Sequence, residues 1–182
     1  MGMERAKTVV HNVKTPSGQI SYAEAGSGPV ALFVHGVLLN NHLWRHQMTG
    51  LSDIRRCIAV DLLAHGDTEI TPDQDVSVTT NAHMLREFLD ALSIDQVDLV
   101  GNDSGGGISQ IFAALNPQRV RSLTLTNCDT RQLATRGVQT LRGNGRGRRI
   151  RQNPECHARR QIDLSVRWRA RPRLRAPGNG HG

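Results

Sequence analysis

Residues 97–107 read VDLVGNDSGGG, a short apolar segment that runs into a cluster of glycines. This order is typical of a buried strand that passes through a tight turn into a helix. Gly101 lies before the turn and Gly105-Gly106 follow it, at positions where a side chain would collide with the neighbouring strand or helix. The stretch therefore predicts a strained turn with Asp103 at its apex and Ser104 one residue later.

The segments around this turn alternate between strand and helix patterns. Apolar runs at residues 30–34, 57–60, 97–100 and 120–126 predict strands buried on both faces of a parallel sheet. Helical spacing predicts two helices, one carried by Met84, Leu85, Phe88, Leu89 and Leu92 and one by Ile108, Ile111, Phe112 and Leu115. Residues 8–13 and 19–24 predict an antiparallel hairpin. The alternation predicts an α/β fold with a doubly wound, mostly parallel sheet.

Other motifs follow the predicted strands at matching places. His35-Gly36-Val37 comes directly after the strand at residues 30–34, and residues 61–67, DLLAHGD, come after the strand at 57–60. Residues 116–125, NPQRVRSLTL, enter the last of the predicted strands. The order and spacing of these motifs are more specific than any one of them.

Together the motifs resemble the amino-terminal half of the α/β-hydrolase fold family, strands 1 to 6, over about residues 20–130. The resemblance implies a nucleophile elbow with Asp103 as nucleophile and the three glycines at its small positions. It also implies an oxyanion hole formed by the backbone N–H groups of Val37 and Ser104, with His35 and Gly36 in the oxyanion loop. The loop at residues 61–67 is structural in the family, and here Ala64 replaces its first glycine.

An Asp nucleophile places the resemblance in the epoxide hydrolase and haloalkane dehalogenase branch, which attacks a small organic substrate without a metal or cofactor. Ser104 stands where haloalkane dehalogenases usually have Trp, and Leu38 stands where many epoxide hydrolases have Pro. The expected catalytic histidine is missing, because His157 and His181 lie in no recognisable strand and loop context. Asn127 and Asp129 follow strand six, where the catalytic acid can lie, and neither is assigned.

Charge divides the chain near residue 130. Residues 1–130 carry 9 Lys or Arg and 14 Asp or Glu, a net charge of −5, whereas residues 131–182 carry 14 Arg, no Lys and 2 acids, a net charge of +12. The second segment is rich in Arg and Gly and lacks a hydrophobic period, which predicts disorder. An Arg-rich segment without Lys is also what a GC-rich gene yields in a shifted reading frame. We therefore expect residues 1–130 to be a hydrolase part, residues 131–182 to derive from a frameshift, and the chain to be truncated and inactive.

Three alternatives stay open. A glycine-rich turn after a strand can bind phosphate, and its Asp can be a simple helix cap. Ser104 could serve a Ser esterase with a shifted elbow. The Arg-rich tail could bind nucleic acid or another anion, non-specifically, although Trp168 is its one aromatic residue.

Cysteine and hydropathy patterns narrow the remaining classes. Cys57, Cys128 and Cys156 have irregular spacing, which favours neither a disulfide framework nor a zinc site. The sequence shows no secretory signal and no long apolar segment, so we expect a soluble cytoplasmic protein with a small-molecule substrate and no membrane partner.

Overall fold

The structure is a computed structural model that describes residues 7–128 and the strand Leu164–Arg167. Its strands are β1 Val9–Thr15, β2 Gly18–Ala25, β3 Val30–Val34, β4 Arg56–Val60, β5 Val97–Asn102, β6 Val120–Thr126 and β7 Leu164–Arg167. Its α-helices are α1 Arg45–Leu51, α2 Val78–Ala91 and α3 Ser104–Leu115. Short 3-10 helices cover Asn41–Trp44 and Pro117–Arg119.

The strands form one sheet in the order β1-β2-β4-β3-β5-β6-β7. Strands β4, β3, β5 and β6 are parallel to their neighbours in this group, while β1, β2 and β7 pair antiparallel. The central position of β3 and β5 brings the residues that follow these two strands to the same edge of the sheet. The predicted doubly wound α/β fold is confirmed, and the carboxyl edge of its parallel strands is where a site is expected.

Helices cover both faces of the sheet. On one face, α2 and α3 pack on a core that includes Leu32, Ile58, Phe88, Leu99 and Phe112. On the other face, α1 and the preceding 3-10 helix bury a smaller cluster around Phe33, Trp44 and Met48. Burial on both faces is the reason why β3 reads as a continuous apolar run. Among the described residues, no helix has the length and apolar character needed to cross a membrane.

The predicted elements all form, with small shifts at their ends. Strands β3 and β6 have the predicted bounds, and the hairpin of β1 and β2 is antiparallel as predicted. Helix α3 begins at Ser104, earlier than its apolar period shows, because glycines carry no period. Helix α1 was not predicted, since only Met48 of its residues is buried.

Strand β7 lies within residues 131–182, where composition predicted no strand. Its backbone pairs with β6, whose outer edge offers unpaired N–H and C=O groups to any extended segment. The remaining predictions for this segment, its disorder and its origin in a frameshift, concern residues outside those described. The boundary near residue 130 stays a prediction.

Candidate active site

Asp103 stands between the last residue of β5 and the first residue of α3, with φ 51° and ψ −124°. Residues other than glycine rarely adopt this left-handed backbone conformation. The contacts around Asp103 must therefore hold its backbone in place. The N–H of Asp103 donates to the carbonyl of Thr126 on β6 over 3.1 Å, and its own carbonyl accepts from the N–H of Gly106 over 2.9 Å. The predicted strained turn therefore has Asp103 at its apex.

The flanking glycines are required by the close approach of other atoms. A Cβ atom on Gly101 would lie 2.7 Å from the carbonyl oxygen of Gly105, and one on Gly105 would lie 2.2 Å from the carbonyl oxygen of His35. A Cβ atom on Gly106 would lie 2.5 Å from the Cβ of Cys128, whereas one on Gly107 would meet nothing within 4 Å. The three small positions that the sequence predicts are thus the ones that the packing of α3 requires.

The Asp103 side chain is half-buried and makes no capping hydrogen bond to α3. Instead it lies against Gly36, where an added Cβ would be 2.7 Å from the Asp103 Oδ2 atom. Asp103 thus occupies the N-cap position of α3 without a side-chain capping bond, and its carboxylate lies against the loop after β3. Ser104 is the first residue of α3 and does not occupy the strained apex.

The loop after β3 brings its backbone to Asp103. His35 and Gly36 are buried, while the Val37 side chain is exposed. The Gly36 carbonyl accepts from the N–H of Leu39 over 3.3 Å, which closes a turn with Leu38 at φ 61°. A proline cannot adopt that φ, so this turn differs from one that carries Pro at Leu38. Within the described residues, the N–H groups of Val37 and Ser104 have no hydrogen-bond partner.

The His35 ring is fully buried and uses both of its nitrogens. Nδ1 lies 2.7 Å from the Gly36 carbonyl oxygen, which can only accept, and Nε2 accepts from the N–H of Leu62 over 3.1 Å. His35 is therefore neutral with its proton on Nδ1. Burial lowers the pKa of His35, the neighbouring His65 lowers it further, and the bond to Gly36 and the charge of Asp61 partly oppose this.

Asp61 connects the oxyanion loop to the loop after β4. This buried carboxylate accepts from the N–H of Asn41 over 2.6 Å, from the Asn41 side-chain amide over 2.8 Å and from the N–H of Asp67 over 3.2 Å. Gly66 passes so close that an added Cβ would lie 2.3 Å from the Asp61 carboxylate. Ala64 holds φ 60° at the position where the family resemblance implies glycine. Asn41 has no sequence signal for this role, because the role depends on a contact with Asp61, 20 residues away.

The remaining triad positions are placed only in part. Asn127 follows β6, is exposed and has φ 49°, and it contacts no described catalytic group. Asp129, His157 and His181 lie outside the described residues. The candidate site therefore brings together Asp103, the oxyanion loop and the first residue of α3.

A cavity of about 730 Å³ opens at the opposite, amino-terminal edge of the parallel strands. Its lining includes Arg56, Arg119 and Arg121. These arginines pair with Glu24, Asp90 and Asp98, respectively, at 2.6–3.0 Å, so their charge is already neutralised. The cavity is separate from Asp103 and does not belong to the candidate site.

Comparison with known proteins places the chain among hydrolases. A family model described as the alpha/beta hydrolase fold matches residues 29–163. The chain is 42% identical over 105 residues to a haloalkane dehalogenase of Mesorhizobium japonicum, which covers 57% of this chain and 34% of that protein. It is 39% identical over 115 residues to epoxide hydrolase 2 of Siraitia grosvenorii, covering 61% of this chain and 36% of that protein.

A solved structure gives the same result for the fold. The haloalkane dehalogenase DatA from Agrobacterium tumefaciens C58 aligns with a TM-score of 0.62 and 30% identity, over 66% of this chain and 41% of that chain. The chain thus spans about a third of the length of the curated relatives it matches. With a family match over more than half of its residues, the chain belongs to the α/β-hydrolase fold family.

Proposed function

We propose that this protein is a hydrolase in which the Asp103 carboxylate attacks a small organic substrate, an epoxide, a haloalkane or an ester. The observation that carries the proposal is the left-handed backbone of Asp103 at the apex of the turn, with its carboxylate uncommitted to α3. Relatives named haloalkane dehalogenase and epoxide hydrolase support this branch, since the resemblance assigns an Asp nucleophile to both.

In the first step a carboxylate oxygen of Asp103 forms a bond to a substrate carbon while the carbon–halogen or epoxide carbon–oxygen bond breaks. The electron pair of the broken bond leaves with the halide or with the ring oxygen, and Asp103 becomes an ester. Gly36 supports this step because its missing side chain leaves room for the Oδ2 atom of Asp103.

In the second step water gives a proton to a base and attacks the carbonyl carbon of that ester, and negative charge develops on the carboxyl oxygen of Asp103 itself. Collapse of this intermediate breaks the bond to the substrate oxygen, releases the product alcohol and restores the Asp103 carboxylate. The unpaired N–H groups of Val37 and Ser104 are suitable donors to this oxygen. The basic nitrogen of neutral His35, Nε2, already accepts from the N–H of Leu62, so His35 is not available as the base that activates water.

The base for the second step is therefore absent from the site that residues 7–128 form. No described histidine is hydrogen bonded to Asp103, and His157 and His181 lie outside the described residues. We infer that the described residues support formation of the ester more strongly than its hydrolysis. The expectation that this chain is inactive in turnover, through a frameshift near residue 130, stays a prediction that sequencing the downstream gene would test.

Turnover of a panel of epoxides, haloalkanes and p-nitrophenyl esters tests the assignment, with Asp103→Asn and Ser104→Ala as paired variants. If Asp103 attacks, any turnover is lost in Asp103→Asn and survives in Ser104→Ala, which keeps the backbone N–H. The opposite pattern, loss in Ser104→Ala with activity in Asp103→Asn, would support the Ser esterase and overturn the proposal.

A further inference from the structure

The peptide between Gly36 and Val37 has its carbonyl held on one side and its N–H free on the other. The Gly36 carbonyl accepts from the Nδ1–H of His35 over 2.7 Å and from the N–H of Leu39 over 3.3 Å. In a planar trans peptide the C=O and N–H bonds point in opposite directions. Whatever fixes the Gly36 carbonyl therefore also fixes the direction of the Val37 N–H.

We propose that His35 is a positioning residue, which aims the Val37 N–H at the oxyanion by clamping the Gly36 carbonyl from behind. The proposal rests on the proposed function for the use made of the Val37 N–H, but the clamp itself is a property of the loop. In this role the buried imidazole transfers no proton and instead supports a reacting group through hydrogen bonds.

The two bonds of the ring make the clamp rigid. The N–H of Leu62, directly after the buried Asp61, donates to Nε2 and fixes the ring from its far side. This bond leaves Nδ1 as the only nitrogen that can carry the proton of the neutral ring. The ring therefore joins the loop after β4 to the oxyanion loop, and full burial of His35 keeps water from competing for either bond.

The clamped residue also lies against the proposed nucleophile. Gly36 lies against Asp103, with an added Cβ only 2.7 Å from Oδ2. The clamped carbonyl belongs to Gly36, and the Asp103 side chain lies against the same residue. A rotation of the Gly36–Val37 peptide would turn a carbonyl oxygen, instead of an N–H, toward the developing negative charge.

Two amide variants separate the clamp from general stability. In His35→Asn the side-chain NH₂ replaces Nδ1 and can still donate to Gly36, while the N–H of Leu62 loses its acceptor. In His35→Gln the longer amide can accept from Leu62 in place of Nε2, while Gly36 loses its donor. Each variant removes one of the two bonds, so loss of stability is expected in both.

The direction of the Val37 N–H can be measured by residual dipolar couplings of the full-length chain. We expect the Val37 coupling to change in His35→Gln and to stay close to the wild-type value in His35→Asn. Nitrogen chemical shifts of the wild-type ring should show a protonated Nδ1 and an unprotonated Nε2. Equal couplings in the wild type and both variants, or a proton on Nε2, would overturn the clamp.

Kinetics then separate the clamp from the proposed function. On any substrate that the wild type converts, we expect kcat to fall about tenfold or more in His35→Gln with little change in KM, and about threefold or less in His35→Asn. Equal losses of kcat in the two variants would overturn the positioning role. The expected couplings in a chain that forms no covalent ester on Asp103 would leave the clamp standing and count against the proposed function.

Discussion

Asp103 holds a conformation in which a β-carbon is normally unfavourable, and the glycines around it allow the helix and strand to approach closely enough to keep it there. The strain is placed on the residue whose carboxylate is free of the helix. The close contacts of these glycines can be tested by adding one methyl group at a time.

Gly105→Ala should lower the free energy of unfolding by about 3 kcal/mol or more, because its Cβ would lie 2.2 Å from the backbone carbonyl of His35, which cannot move aside. Gly107→Ala is the matched control in the same helix. Its Cβ meets open space, and alanine favours helix over glycine, so we expect a gain of about 0.5–1 kcal/mol. Urea denaturation of the two variants measures both effects, and equal effects would contradict the described packing of α3.

His35 should make stability fall as the pH drops below about 6.5. The buried ring has a lowered pKa, so between the unfolded pKa near 6.5 and the lower folded pKa the unfolded chain binds a proton that the folded chain does not. The free energy of unfolding should therefore be constant above this range and decrease, as the pH falls through it, by up to about 1.4 kcal/mol per pH unit.

Denaturation midpoints of the wild type and His35→Gln, measured at several values between about pH 5 and pH 8, check this. The variant should lose most of the slope in that window. Asp98 has a lowered pKa through its bonds to Arg121 and Ser122 despite burial, so its contribution is lost only below the ordinary carboxyl pKa of 3.8 and does not interfere. A slope unchanged in His35→Gln would show that another group is responsible.

At the scale of elements, two loops from neighbouring strands β3 and β4 are joined through one carboxylate. Asp61 accepts hydrogen bonds from the backbone N–H and the side-chain amide of Asn41 and from the N–H of Asp67. Asn41 begins the 3-10 helix that follows the loop after β3. Three donors satisfy a buried charge that has no cation beside it among the described residues. The oxyanion loop therefore depends on the loop after β4 for its position.

Asp61→Asn should lower the free energy of unfolding by about 2–3 kcal/mol, because an amide NH₂ replaces an oxygen that faces N–H donors. Asp53→Asn is the control, since Asp53 is exposed and makes no described hydrogen bond, and its effect should stay within about 0.5 kcal/mol. Chemical denaturation compares the two variants. A loss below about 1 kcal/mol in Asp61→Asn would mean that the two loops are not joined in this way.

The helices and strands could be predicted wherever burial requires a continuous or periodic pattern of apolar residues. Strand β3 is buried along its whole length, so its bounds followed from five consecutive apolar residues. Asp103 and the three glycines could be recognised because close packing restricts the residue types at their positions. Helix α1 could not be recognised, because only Met48 of its residues is buried. Strand β7 and Asn41 could not be recognised either, because each depends on a contact with a distant partner and not on a local pattern.

At the scale of the whole molecule, the two regions of opposite net charge differ in how many of their residues the structure describes. Residues 7–128 form most of the sheet and hold the candidate nucleophile, and the net charge of residues 1–130 is −5. The net charge of +12 lies in residues 131–182, of which only β7 is described. The anion-binding alternative therefore depends on residues that lie mostly outside those described, and the hydrolase assignment depends on Asp103.

Covalent capture on Asp103 tests that assignment most directly. The purified chain is incubated with a haloalkane or an epoxide, its intact mass is measured, and peptide mapping locates any adduct, with Asp103→Asn in parallel. The account predicts a stoichiometric ester on Asp103 that is absent from Asp103→Asn and persists for lack of a base in the described site. An adduct on Ser104 or on a cysteine, or one that forms equally in Asp103→Asn, would contradict it.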